Sequence, residues 1–128
     1  MSNEEKDLLL KDLSSRAPYG VKCDRYGNAY ELVEIDIKRG LVYLWRYDWF
    51  EPTSLSYSIP SGDEIKPYLR PLSSMTEEEK EEMTKMSTLV NSITLVKVLG
   101  DWLNKNHFDY RGLIEKGLAL EAPEGMYD

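Results

Sequence analysis

The first hydrophobic positions along the chain follow the spacing of an α-helix. Leu9, Leu10 and Leu13 form an apolar edge in "SNEEKDLLLKDL", where most other positions are polar. Ser2 and Glu5 have the spacing of a capping box, in which each side chain bonds the backbone N–H of the other residue. This segment is therefore predicted to be an N-terminal helix.

After this helix the pattern changes to that of β-strands. Runs rich in Val, Ile, Tyr and Trp are separated by Gly27-Asn28 and by Lys38-Arg39-Gly40. Both separators are typical of hairpin turns, because they supply a residue that tolerates positive φ. The pattern predicts an antiparallel meander of three strands at roughly 20–26, 29–37 and 41–49. Residues 54–59 are a candidate fourth strand.

The C-terminal half is predicted to be helical. Residues 60–74 contain three prolines, which exclude a regular helix there, so this stretch is interpreted as a connector. Thr76 and Glu79 have the spacing of a second capping box. Apolar residues then follow at a helical period, namely Leu89, Ile93, Val96, Leu99 and Leu103. We expect this stretch to end near Asn106 and a short last helix to span about 109–116.

Together these elements predict an α+β fold. It consists of an N-terminal helix, an antiparallel three- to four-stranded meander, and C-terminal helices packed on one face. The 128 residues suit a single domain spanning 1–128, with a mobile tail from about residue 121. An antiparallel sheet usually keeps one face dry, and the helices are expected to cover that face.

The charge distribution favours some partners over others. The net charge is −7, and residues 72–128 hold eleven acidic and six basic residues. Nucleic-acid binding is disfavoured, because affinity for phosphates depends on clustered basic residues. We expect neither a signal peptide nor a membrane span, and a single cysteine allows no internal disulfide. A cytoplasmic protein without cofactor or metal is expected.

The only histidine lies in "HFDYRG", residues 107–112, and has two interpretations. It could be a catalytic base with Asp101 or Asp109 as its partner. Alternatively, His107 ends one helix, with its imidazole against the helix dipole, and Asp109 caps the next segment. We favour the structural roles for both residues, because no nucleophile motif such as GxSxG accompanies them. No catalytic residue is predicted, and we do not expect an enzyme.

An alternation of aromatic residues is the main candidate for a binding site. Tyr43, Trp45, Tyr47 and Trp49 fall on one face of one strand. Such a face can stack on bases or small ligands, or anchor a protein partner. It can also be the core face of the sheet, and this interpretation is favoured, with Tyr43 and Trp45 buried and Tyr47 and Trp49 near an edge.

The glutamate-rich run 77–82 and Cys23 are interpreted as structural features and not as functional sites. The glutamate-rich run 77–82 resembles a metal or partner site, but it suits the solvated first turns of a helix better. Cys23 has no basic residues arranged around it by spacing, so it is interpreted as a small hydrophobic residue and not as a nucleophile.

Three blocks of sequence carry a resemblance to a family. They are "RAPYGVKC" at 16–23, "IKPYLRPLSSMTEEEKEEM" at 65–83 and "WLNKNHFDYRGLIEKGLALEAPEGMY" at 102–127. Together they resemble a family of small uncharacterised proteins encoded by phages, prophages and mobile elements of gut Bacteroidetes. The resemblance implies expression inside a bacterial cell as an accessory gene, and it implies no activity, ligand or site residue.

The leading hypothesis for function is a non-enzymatic interaction module whose partner is a host or phage protein. An acidic surface rich in Tyr and Trp suits a partner with a basic surface. The alternative is a module that binds a small ligand or nucleic acid through the aromatic face of strand 41–49. No oligomeric state is predicted.

Overall fold

A computed structural model of the chain describes residues 2–25, 27–36, 38, 41–46, 53–58, 65–89 and 91–127. Its helices are α1 (Asn3–Arg16), α2 (Glu77–Leu89) and α3 (Ser92–Lys105). Its strands are β1 (Lys22–Arg25), β2 (Asn28–Asp36), β3 (Leu41–Arg46), β4 (Thr53–Ser58), β5 (Lys66–Leu69) and β6 (Leu120–Glu121). Short 3-10 turns occupy Ala17–Tyr19 and Leu72–Ser74.

The predicted α+β class is confirmed. An N-terminal helix precedes a mostly antiparallel sheet with strand order β4-β3-β2-β1-β5-β6, and two helices lie in the C-terminal half. Strands β1 to β4 form the predicted meander, and only the pair β5–β6 is parallel. The ends predicted at residues 26, 37 and 47–49 lie outside the described residues.

The N-terminal helix begins as its sequence predicts. The Glu5 backbone N–H donates to Ser2 Oγ at 3.1 Å, and the Ser2 N–H donates to Glu5 Oε1 at 2.9 Å. This reciprocal pair satisfies N–H groups that the first turn of a helix otherwise leaves unpaired. Leu9 and Leu13, four residues apart and so on one side of α1, are fully buried.

The core lies on the side of the sheet that α1 covers. Leu9 and Leu13 join a cluster to which the sheet contributes mainly aliphatic side chains, including Cys23, Leu32, Val42, Leu44 and Leu69. Leu32 and Leu44 are directly opposite each other in the β2–β3 ladder, so they point to the same face. The other face of the sheet therefore carries the alternate residues of these strands.

Strands β5 and β6 were not predicted, and β5 was missed because it lies in the proline-rich connector. Ile65, Pro67 and Leu69 are buried, whereas Lys66 and Tyr68 between them are half-buried. This alternation is the period of a strand, and β5 pairs with β1 on one side and β6 on the other. Proline excludes a helix but is compatible with a short strand that has few ladder hydrogen bonds.

The short helix predicted over 109–116 is wrong, because this segment forms a series of turns. Gly112 adopts φ 72°, a left-handed conformation that interrupts a helix. The cap predicted at Asp109 is nevertheless present. Its carboxylate accepts from the N–H groups of Leu113 at 2.9 Å and Ile114 at 3.0 Å.

The segment from about residue 121, predicted to be a mobile tail, contacts the body of the protein. The Ala122 N–H donates to the Leu69 carbonyl oxygen at 2.8 Å, directly after the parallel β5–β6 pair. The Tyr127 hydroxyl lies 2.7 Å from the Tyr68 carbonyl oxygen and accepts from the Lys22 N–H at 2.9 Å. These bonds place the tail beside β1 and β5, and its mobility stays a prediction.

A buried carboxylate joins the two ends of the chain. Asp12 Oδ2 accepts from Arg16 Nε at 2.9 Å, and Asp12 Oδ1 accepts from Arg111 Nη1 at 2.7 Å. Arg16 also donates from Nη2 to the Phe108 carbonyl oxygen at 2.6 Å. The side chains of Asp12 and Arg16 are fully buried and that of Arg111 is 16% exposed. These bonds hold α1 against the segment that follows α3.

Replacing Asp12 is expected to destabilise the protein strongly. Asp12→Ala leaves two guanidinium groups without their carboxylate, and losing one partner of a buried ion pair typically costs about 3–5 kcal/mol. The free energy of unfolding, measured by urea denaturation, reports the loss. Asp7→Ala is the matched control, because Asp7 lies on the exposed side of the same helix and should change stability by less than about 0.5 kcal/mol. Equal effects of the two substitutions would contradict this account of Asp12.

Candidate functional site

The aromatic residues of β3 lie on the face of the sheet opposite the core. Val42 and Leu44 are 0% and 1% exposed, whereas Tyr43 and Trp45 are half-buried. The interpretation that Tyr43 and Trp45 form the core face is therefore wrong, because the aliphatic residues of β3 occupy that position. Tyr47 and Trp49, the other two candidate binding residues, lie outside the described residues.

Each of these two rings has a glutamate as its neighbour across the ladder. Glu31 is directly opposite Trp45, and Glu34 is directly opposite Tyr43. Residues in such positions share one face of the sheet, with their Cβ atoms about 5 Å apart. The register between these two pairs shifts at Val33, which keeps Glu34 on the same face as Glu31. The result is an aromatic surface bordered by carboxylates, which suits a cationic group better than a phosphate.

His107 occupies the position where α3 ends. It has φ 63°, the one positive value among the described residues other than glycine. The His107 N–H donates to the Asn104 carbonyl oxygen at 3.1 Å, and the Phe108 N–H donates to that of Leu103 at 3.0 Å. This pair of bonds is the Schellman motif, which satisfies the last carbonyl groups of a helix. The predicted helix end at His107 is thus confirmed.

The His107 side chain is held in the interior and carries no charge at neutral pH. Its ring is 8% exposed and stacks on Tyr127, with 3.7 Å between the ring centroids. Burial is the main cause that lowers the pKa of His107 to about 4, and the nearby cations Arg16, Arg70 and Lys22 contribute in the same direction. The favourable placement of the imidazole against the dipole of α3 stays a prediction. The ring acts by packing.

The C-terminal segment forms one wall of an acidic cleft. The cleft has a volume of about 710 Å³ and lies between residues 70–79 and 121–127. Arg70 lies in it, donating to both carboxylate oxygens of Glu79 at 2.7 and 2.8 Å. This pairing lowers the pKa of Glu79 to about 2. The carboxylates that line the cleft are those of Glu78, Glu79, Glu121 and Glu124.

The apolar stripe predicted for the C-terminal helices is partly exposed. Asn91 caps α3 by accepting from the Thr94 N–H at 2.9 Å, which divides the stretch into two helices. Leu89, Ile93 and Val96 are then 81%, 86% and 75% exposed, whereas Trp102 near the other end of α3 is buried. The period of the apolar residues predicts the helices, but it does not tell which part of the stripe is covered. The sequence signal for the exposure of Leu89, Ile93 and Val96 is that α2 has few apolar residues. All of α2 is described, and none of its residues is buried.

Other chemistry has little support among the described residues. Cys23 is fully buried, and burial raises the pKa of its thiol, in agreement with the interpretation as a small hydrophobic residue. No group of three or more His, Cys, Asp or Glu side chains in the described ranges is arranged to hold a metal ion. Within the same ranges, every helix is too short or too polar to cross a membrane.

His107 is expected to make stability depend on pH. Its pKa is near 6.5 in the unfolded chain and about 4 in the folded protein, so protonation favours unfolding. The stabilisation is complete above pH 6.5 and is lost as the pH falls toward 4, by at most about 1.4 kcal/mol per pH unit. Urea denaturation at several pH values between 7.5 and 4.5 measures this slope, the change in the free energy of unfolding per pH unit.

The matched variant for this measurement is His107→Asn. Asparagine tolerates a left-handed backbone and does not titrate in this range. It should therefore weaken the slope between pH 6.5 and 4.5 while keeping the end of α3. An unchanged slope in His107→Asn would show that other groups cause the pH dependence.

Comparison with known proteins assigns no function to these surfaces. No family model, no curated protein and no solved structure matches the chain.

Proposed function

We propose that the protein is a non-enzymatic interaction module that binds a partner protein through a basic surface on that partner. The observation that carries this proposal is the position of Tyr43 and Trp45, half-buried on the face opposite the core and each next to a glutamate. We further propose that it acts in the cytoplasm of a bacterial cell, as the product of a phage or mobile element, on a host or phage protein. The resemblance of residues 16–23, 65–83 and 102–127 to proteins of such elements supports this setting.

The composition of the aromatic face supports a protein as its ligand. Tyrosine and tryptophan are the residues that most often carry binding energy at protein interfaces. Carboxylates beside the rings favour lysine and arginine side chains, which interact with the acid and the ring at the same time. The net charge of −7 would add long-range attraction toward a basic surface.

A second candidate function uses the same residues. The half-buried residues Tyr43 and Trp45 could offer their rings to a planar small ligand or to a base. Glu31 and Glu34 beside them would repel the phosphates of a nucleic acid, so a protein ligand has the stronger support.

Capture of the partner from a bacterial lysate tests the proposal. Tagged protein is incubated with a Bacteroides-type lysate and washed with increasing salt, and the bound proteins are identified by mass spectrometry. We expect one host or phage protein at stoichiometric yield. Tyr43→Thr and Glu34→Lys should each reduce its capture about tenfold, the size of a strong interface contact.

The control is Glu115→Lys, which makes the same charge change at an exposed turn position far along the chain. It should retain the partner, and thermal unfolding should show that all three variants are folded. Recovery of nucleic acid, recovery of the bait alone, or equal capture by Glu34→Lys and Glu115→Lys would overturn the proposal.

A further inference from the structure

On the aromatic face, Tyr43 and Glu34 lie side by side at the surface. The two residues are directly opposite each other in the β2–β3 ladder, so they share one face with their Cβ atoms about 5 Å apart. Tyr43 is half-buried and Glu34 is exposed. Within the described part of the chain, the Glu34 carboxylate forms no ion pair. An aromatic ring and an unpaired carboxylate are therefore next to each other where a partner can meet them.

Elsewhere in the protein, a ring and a carboxylate together hold an arginine. The Arg111 guanidinium lies 4.5 Å from the centroid of the Tyr110 ring, while its Nη1 donates to Asp12 Oδ1 at 2.7 Å. Arg70, which donates two hydrogen bonds to a glutamate, has its guanidinium 4.2 Å from the centroid of the Phe108 ring. Tyr43 and Glu34 repeat the ring and the carboxylate of these arrangements at the surface, without the arginine.

Arginine suits such a pair of groups better than lysine does. The guanidinium is planar, and its N–H groups form a fork that matches the two oxygens of a carboxylate. The same plane can lie on an aromatic ring while the fork is bonded. The ammonium group of lysine is a compact and strongly hydrated charge, so it gains less from leaving water for this surface.

The groups around the two rings favour a cation. Across the ladder from Trp45 is Glu31, which also forms no ion pair within the described ranges. On the other side, the positions of β4 opposite the two rings are both serines. Lys22 follows Glu31 across the sheet, in the β1–β2 ladder. Its Nζ donates to the Met126 carbonyl oxygen at 3.2 Å, so this cation is directed toward the C-terminal segment and away from the rings.

The spacing of the rings favours two arginines in an extended segment. Tyr43 and Trp45 are two residues apart in β3, which is about 7 Å. Residues i and i+2 of an extended peptide have the same separation and point to the same side. Glu31 Oε1 lies against Gly20 on the β1 side, so the arginine on Trp45 is expected to be held more weakly than the one at Glu34.

We propose that the aromatic face binds an extended segment of the partner protein in which two arginines are separated by one residue. The first guanidinium lies on the Tyr43 ring and pairs with Glu34, and the second lies on Trp45. This inference rests on the function proposed for the same face, and it specifies the chemistry of the partner there. A second copy of this chain does not supply the segment, because no two of its arginines are separated by one residue.

Three short fluorescent peptides of the same length and net charge test the proposal. The first contains Arg-x-Arg, the second Lys-x-Lys and the third Arg-x-x-Arg. Titration into the full-length protein, followed by anisotropy, should show the tightest binding for Arg-x-Arg. Lys-x-Lys should bind about threefold to tenfold more weakly, because it lacks the planar fork. Arg-x-x-Arg should bind about tenfold more weakly, since its arginines point to opposite sides of an extended chain.

Substitutions then locate the peptide on the protein. Glu34→Gln and Tyr43→Thr should each weaken Arg-x-Arg about tenfold, because each removes one of the two groups that hold the first arginine. The matched control is Glu115→Gln, the same change at an exposed turn position, which should stay within about twofold. Circular dichroism checks that every variant is folded.

Several outcomes would overturn the proposal. If none of the peptides binds, or if all three bind equally, the face does not select arginines at this spacing. If Glu34→Gln and Glu115→Gln weaken Arg-x-Arg equally, the attraction comes from the net charge and not from this pair. Binding of a thymidine oligonucleotide that Tyr43→Thr abolishes, without binding of Arg-x-Arg, would identify a nucleic acid as the ligand of the face.

Competition separates this inference from the proposed function. Excess Arg-x-Arg peptide should release the protein captured from the lysate, whereas Arg-x-x-Arg should not. A captured protein that depends on Glu34 but resists the peptide would leave the proposed function standing and overturn the arginine segment. Peptide binding that depends on Glu34, with no protein captured, would support the chemistry of the face and overturn the proposed partner.

Discussion

The contact of the Asp12 carboxylate with two arginines is the constraint on which the arrangement of the other elements depends. It joins α1 to the segment after α3, which lies 99 residues away at Arg111. Arg16 fixes Phe108 through its carbonyl oxygen, and Phe108 packs in turn on Trp102 of α3. The N-terminal helix and the C-terminal end of α3 are thus held together by one buried ionic group. Such a group stabilises only when its partners are in place, so it couples these elements into one cooperative arrangement.

The parts of the fold that the sequence predicted are those governed by residues close in the chain. Both capping boxes, Ser2 with Glu5 and Thr76 with Glu79, need residues only three positions apart, and both are present. Strand β5 depends instead on pairing Pro67 with Cys23, which the local proline signal obscured. The prediction of a helix over 109–116 is wrong because Gly112 adopts a left-handed conformation. A glycine in the sequence does not by itself reveal which conformation it takes.

The candidate site shows a different limit of prediction from sequence. In β3, Val42 and Leu44 alternate with Tyr43 and Trp45, and both sets are largely apolar. The alternation therefore identifies the two faces of the strand, but it does not indicate which face is buried in the core. The choice is made by what packs against the sheet: Leu9 and Leu13 of α1 belong to the same buried cluster as Val42 and Leu44. Aliphatic side chains fill such an interface without leaving a polar atom, whereas Tyr43 has a hydroxyl group that needs a hydrogen-bond partner or water. The aromatic residues therefore lie on the wetter face.

The arginines in the interior are balanced by carboxylates that are withdrawn from solvent with them. Arg16, Arg70 and Arg111 are mostly withdrawn from solvent, and they take with them the carboxylates of Asp12 and Glu79. Asp109 is buried as well, so cations and anions are withdrawn in equal number and the exposed surface keeps a net charge close to −7. The buried His107, neutral at physiological pH, adds nothing to offset it. Glu31 and Glu34 keep the aromatic face acidic, which suits the basic partner surface that we propose for it.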